Sequence, residues 1–486
     1  MVENRLTLSG CITIVNRVRD VEMALNMVSN NSSVLARTAL TDAGWRHDVR
    51  LDIDAAGRIE SLTAGVTDAV DNSVIRVDVL LPAMPNLHSH AFQRAMAGLT
   101  EARGEDPSDS FWTWRQLMYR FLDRLTPDDV EAITAFAQME MLEQGFASVG
   151  EFHYLHHQSD GTPYTDLAEL SVRVIAAAAQ TGIGLTLLPV MYEQGGCDGR
   201  ALEGGQRRFG NRIDAFANLF SDARSLLSQL PADTNIGVAP HSLRAVSQQS
   251  LQNAFALADR QPFHIHVAEQ VAEVDEILAA WQARPVQWLL DNSNLDETWC
   301  LIHATQMQPE ETQGLAASGA TVGLCPVTES SLGDGIFDGM RYLDAGGNFG
   351  VGTDSNIRIS TTDELRTLEY SQRLRDRGRA MFANPERSTG RVLFDAALNG
   401  GARALQRQCG ALAVGNYADM LVLDTNDVNL CAVSDDTLLD AWLFAAGDNP
   451  ITDVWAAGRH VVKDAQHIDR ERILARYRQV LKGLLS

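Results

Sequence analysis

The stretch MPNLHSH, residues 84–90, is a short apolar run that ends in two histidines one residue apart. Alternate side chains of an extended strand share a face. His88 and His90 therefore point the same way and can grip one metal ion. Seven further runs of this character follow: FASVGEFHY (146–154), IGLTLLPVMY (183–192), NIGVAPHS (235–242), PFHIHVAE (262–269), WCLIHAT (299–305), ATVGLCPVT (320–328) and NFGVGTDS (348–355). Helix-like stretches such as DDVEAITAFAQMEMLEQG and AEVDEILAAWQA lie between them. Strand alternating with helix predicts parallel βαβ units, and eight such units predict an α/β fold with a (β/α)8 TIM-type barrel over residues 84–395.

Outside the barrel the pattern changes. DVRLDID (48–54) and VIRVDVLL (74–81) alternate apolar and polar residues, as do ADMLVLD (418–424) and DVWAAGRHVVKD (453–464). These predict a small β-sandwich made from both chain ends, residues 34–83 and 396–470, with the barrel inserted between its halves. Residues 471–486 read as a C-terminal helix. Residues 1–33, closed by the NNSS tract, read as an extension expected to be disordered.

The chain has 486 residues, with Lys+Arg 40 against Asp+Glu 63 and a formal net charge of −23. That balance argues against nucleic acid or an anionic membrane as partner. It does not exclude an anionic substrate, because arginines inside a pocket outweigh a distant surface field. Six scattered cysteines without a CxxC pair read as reduced thiols of a cytoplasmic protein. No run of about 18 apolar residues predicts a membrane span, and the N-terminus lacks the pattern of a signal peptide.

Catalytic groups of such barrels sit at the C-terminal ends of the strands. Six strand ends here carry His, Asp or Glu: His88 and His90; His153; His241; His264, His266 and Glu269; His303; and Asp354. Any one of these histidines alone reads as an ordinary polar residue, but their convergence on one rim predicts a metal site. Three imidazoles and a carboxylate suit zinc, with iron or another divalent ion as the alternative. Binuclear sites on this architecture often use a carboxylated lysine as the bridge. The chain's only lysines are Lys463 and Lys482, outside the barrel. One divalent ion per chain is expected, on His88, His90, His266 and Asp354, where it would bring the pKa of water towards about 7. Glu269, three residues beyond His266, is expected to move protons between water and the leaving nitrogen. A plainer role for it is a carboxylate favourable to a helix N-terminus. His303 is expected to hydrogen-bond the nucleophile or the developing tetrahedral centre.

MPNLHSH, HIHVAE, LIHAT and GVGTDS together resemble the amidohydrolase superfamily in its mononuclear deaminase branch. Within that branch MPNLHSHAFQRAMAGLTE (84–101), FWTWRQLMY (111–119), GEFHYLHH (150–157), APHSLRAV (239–246) and GTDSN (352–356) resemble the formimidoylglutamate deiminase family of histidine degradation. The resemblance spans about residues 34–470. It implies a cytoplasmic, homodimeric enzyme that hydrolyses N-formimidoyl-L-glutamate to N-formyl-L-glutamate and ammonia. It also implies that Gln93, Arg115, Tyr154, His241 and Arg244 bind the substrate, the arginines holding its carboxylates through paired hydrogen bonds. CPVTESSL (325–332) departs from the family pattern in a loop expected to line the pocket. The competing readings are a nucleobase or other heterocycle deaminase of the same superfamily, whose pockets call for aromatic stacking, and a scaffold without catalysis.

Overall fold

The computed structural model describes residues 32–66, 73–101, 118–227, 230–447 and 449–486. The expectation for residues 1–31 and the substrate role of Arg115 fall outside the described residues.

Four strands come from the N-terminal part: β1 Ser32–Thr41, β2 Gly44–Ile53, β3 Ile59–Thr63 and β4 Ile75–Pro82. Strand β1 thus starts two residues ahead of the expected domain start. The eight barrel runs form β5 Met84–Ser89, β6 Phe146–His153, β7 Gly184–Met191, the pair β8 Asn235–Ile236 and β9 Ala239–Pro240, β10 Phe263–Val267, β11 Trp299–His303, β12 Thr321–Leu324 and β13 Asn348–Val351. The C-terminal part adds β14 Met420–Leu423, β15 Ile451–Ala456, β16 Arg459–Lys463 and β17 Gln466–His467.

All pairings among the barrel strands are parallel. Single bridges Val238↔Phe263, Ser242↔His266 and Ser89↔Asp354 join the two halves and close the ring. Every residue of β5, β6, β7, β10, β11 and β12 is buried, as expected of strands covered by helices outside and packed side chains inside. Leu87, Cys300, Ile302, Cys325, Ala404 and Leu405 fill the barrel interior as one cluster.

The chain ends share one hydrogen-bonded path, β17-β16-β15-β14-β4-β1-β2-β3. Side chains from both halves of that path, including Val34, Leu51, Leu80, Met420 and Trp455, meet in one apolar cluster. The expected sandwich is therefore a single mixed sheet that encloses its own core. The C-terminal helix runs Arg470–Leu485 and stacks Tyr477 on Phe136, ring centroids 3.8 Å apart, against the barrel's outer helix Pro127–Glu143. Among the described residues no helix is long and apolar enough to cross a membrane.

Candidate active site

The C-terminal ends of β5, β10 and β13 bring His88, His90, His266 and Asp354 together, their ligand atoms all within 4.8 Å of one another. His88 Nε2 lies 3.2 Å from His90 Nε2 and 3.1 Å from His266 Nε2. Asp354 Oδ1 lies 3.5 Å from His88 Nε2 and 3.2 Å from His90 Nε2. Backbone carbonyls fix two of the rings. His90 Nδ1 donates to Phe152 O and His266 Nδ1 to His241 O, each at 2.9 Å. A carbonyl only accepts, so in the neutral rings both Nε2 atoms carry lone pairs and aim them at the shared centre.

Electrostatics favours the same arrangement. Burial pushes the His88 imidazole down to about 3 and His266 well below its ordinary range, so both are neutral donors. Burial would raise the Asp354 carboxyl, but the His88 and His90 rings beside it hold it well below the usual range. Three imidazoles and one carboxylate converging at these distances fit a divalent ion.

Local bonding explains how β5 and β13 hold register. Asp354 N donates to His88 O at 3.0 Å, and His90 N to Asp354 O at 2.9 Å. Asn86 bonds Thr353 through both its side-chain atoms, Nδ2 to Oγ1 at 2.7 Å and Oδ1 from the backbone N at 3.1 Å. Asn356 ties Thr353 to Ser89. At Gly352 any Cβ would fall 2.7 Å from His88 O, so the strands can approach only with glycine there. Ala268 (φ +50°), His303 (φ +70°) and Asp354 (φ +44°) are in the left-handed region, a costly backbone state that clusters at functional sites.

Around this centre lies a cleft with about 480 Å³ of empty space, open solvent included. His90, His266 and Asp354 line it together with Glu269, His303, Gln93, Tyr154, His241 and Arg244. The Glu269 carboxylate faces His303 Nε2 at 3.8 Å. Burial, opposed by His303 and aided by Asp354, pushes it up to about 6. Glu273, in the first turn of the helix Val271–Trp281 that follows, accepts from Ala268 N and Glu269 N. Burial would lower His303, yet Glu269 and Glu329 hold it well above its ordinary range. Gln93 Nε2 donates to Tyr154 Oη at 2.7 Å, while Gln93 Oε1 is buried without a partner among the described residues.

The whole architecture has relatives. The Amidohydrolase family matches residues 79–461, and "Formimidoylglutamate deiminase HutF, N-terminal domain" matches residues 31–72. The chain is 48% identical to the formimidoylglutamate deiminase of Pseudomonas aeruginosa over 458 residues, 94% of this chain and 100% of that one. The chain belongs to the formimidoylglutamate deiminase family of amidohydrolases. A crystal structure of an amidohydrolase from Brucella melitensis superposes with TM-score 0.89 at 45% identity, covering 94% of this chain and 100% of that one. An adenosine deaminase from Xanthomonas campestris with bound zinc shares the fold, TM-score 0.78 at 21% identity over 94% and 98%.

In this family setting the candidates divide clearly. Two histidines stay away from the cleft. His153 lies between Phe152 and Tyr154, which face inward, so alternation turns it outward onto His156. His264 points inward but lower, donating from Nε2 to Ala404 O at 2.8 Å. Thr328, Leu332, Ser355 and Met118 line the cleft without having been expected there by name, although CPVTESSL was expected to supply a wall. Glu329 from that loop meets His303 Nδ1 at 3.2 Å. The signal in the sequence is its place in CPVTESSL.

Proposed function

We propose that this enzyme hydrolyses N-formimidoyl-L-glutamate to N-formyl-L-glutamate and ammonia, with one zinc ion held by His88, His90, His266 and Asp354. The observation that carries the substrate is the 48% identity across the full length of a formimidoylglutamate deiminase, with a buried arginine in the cleft beside the metal residues. When bound, the ion supplies a Lewis acid that makes water a nucleophile near neutral pH.

The chain's own residues do the rest. Glu269, raised to about 6 by burial, takes a proton from the attacking water and returns it to the departing nitrogen. His303 presents Nε2–H to the attacking oxygen as the tetrahedral centre forms at the formimidoyl carbon. Gln93 Oε1 accepts from an N–H of the formimidoyl group, and Tyr154 and His241 close the same wall. Arg244, with Arg115, holds the two carboxylates. Anchoring the glutamate end there leaves the terminal imino nitrogen nearest Glu269, so ammonia is the leaving group. The same reading places the enzyme in the cytoplasm as a homodimer, acting on a small dicarboxylate and binding neither nucleic acid nor membrane.

Product analysis by NMR beside an ammonia assay tests this. N-formyl-L-glutamate and ammonia are expected. Formamide and glutamate would refute the bond assignment, and turnover of guanine or cytosine instead would move the protein to the nucleobase branch. Arg244→Ala should cost roughly 2–5 kcal/mol in kcat/KM, and less on an analogue missing one carboxylate. Equal losses on both would assign Arg244 to structure.

A further inference from the structure

Glu329 sits on the short helix Pro326–Leu332 that follows β12, and it is only 5% exposed. Its Oε1 accepts two hydrogen bonds, from Cys325 N–H at 2.9 Å and from His303 Nδ1 at 3.2 Å. Among the described residues its ion-pair partner is His303. A carboxylate taken out of water costs several kcal/mol unless it is compensated. A first-turn carboxylate that accepts from the N-cap N–H serves the start of a helix, and the Cys325 N–H is such a group. The second bond, to His303 Nδ1, is the one that reaches beyond the helix to the cleft.

His303 needs such a restraint. Its backbone has φ +70° and that of Ala304 φ +52°, so the ring leaves the end of β11 from a strained turn. The Cβ–Cγ torsion of histidine is broad and roughly two-fold. A half-turn exchanges Nε2 with a carbon and presents C–H where a donor is needed. In the observed ring, Nδ1 meets Glu329 and Nε2 faces Glu269 Oε1 and Asp354 Oδ2, each at 3.8 Å.

We propose that Glu329 is a positioning residue, which locks the His303 ring with Nδ1 toward the Pro326–Leu332 helix and Nε2 toward the cleft. This rests on the reading that His303 acts on the reacting atoms.

A double-mutant cycle on the metal-loaded enzyme tests it. Glu329→Ala should lower kcat by about 10–100-fold, the usual cost of losing a partner that orients an active-site group. KM and bound metal should change little. Glu329→Gln keeps an acceptor for both N–H groups and should recover most of that loss. In a His303→Asn background, Glu329→Ala should cause almost no further fall. If Glu329→Ala does not fold, Glu329→Met, similar in volume and without an acceptor, takes its place in the cycle. An equal fall from Glu329→Ala in both backgrounds, with His303→Asn itself severely impaired, would overturn the positioning role while leaving His303 in the mechanism. Near-normal turnover of His303→Asn would instead remove His303 from the mechanism, and this inference with it.

Discussion

Buried charge gathers at both ends of the barrel, on opposite terms. Below the strands, Arg407 bonds Asp419 at 2.8 and 3.0 Å and Asp233 at 3.0 Å, while Arg459 bonds Asp233 at 2.7 and 2.9 Å. Two guanidiniums meet two carboxylates, and Ala457 N–H donates to Asp419 Oδ1. Asp233 precedes barrel strand β8, whereas Asp419 and Arg459 flank the terminal sheet, so this closed set rivets one to the other. At the mouth, Glu269, Glu273, Glu329, Asp334 and Asp354 are all buried, with Arg244 as the buried arginine lining the cleft. Burial and neighbouring acids, above all Glu269, push Asp334 up to about 9. Matched charges hold the scaffold. The surplus of carboxylate at the mouth suits a divalent cation and a proton-carrying reaction.

The sharpest way to break this contrast is at the ligands. His88→Ala should leave the protein folded but without its metal and without measurable turnover, as read by elemental analysis and ammonia release. Glu269→Gln should be the next largest effect, with kcat down by about 10²-fold or more, metal and thermal midpoint unchanged. Near-normal turnover would assign the proton to another group.

At the base the effects should reverse. Arg407→Ala leaves Asp419 and Asp233 short of a partner and should cost roughly 3–5 kcal/mol of stability in denaturant unfolding, with kcat of the folded enzyme preserved. A loss of kcat without a loss of stability would dissolve the distinction between the ends. The smallest effect concerns pH. Burial would raise Asp233, but Arg459 and Arg407 hold it well below the ordinary carboxylate range. A carboxyl depressed in the folded state adds stability that is complete above its unfolded pKa of about 3.9 and fades as pH falls towards the folded value. Asp233→Asn should therefore flatten the acid limb of stability against pH. An unchanged limb would mean that Asp233 contributes nothing there.

The two ends also differ in how far the sequence reveals them. The mouth is legible because each ligand ends an apolar run. Strand alternation sets His88 beside His90, and barrel closure brings His266 and Asp354 to them. The same alternation, applied to His153, would have turned it outward in advance, because Phe152 and Tyr154 are its inward neighbours. The base is not legible. Arg407 and Asp233 are 174 positions apart and Arg459 and Asp233 are 226, with no local pattern to pair them. Glu329 falls between these cases. CPVTESSL stands out as a loop at the pocket, but the bond to His303 depends on where a short helix sets its first turn, which apolar periodicity does not encode.

Metal reconstitution tests the central claim most directly. Metal-free enzyme titrated with zinc should gain turnover of N-formimidoyl-L-glutamate in proportion to added ion and reach its maximum at about one equivalent per chain, the outcome expected of a barrel with no lysine to bridge two ions. A maximum that needs two equivalents, or full turnover with no metal bound, would contradict the single-ion mouth.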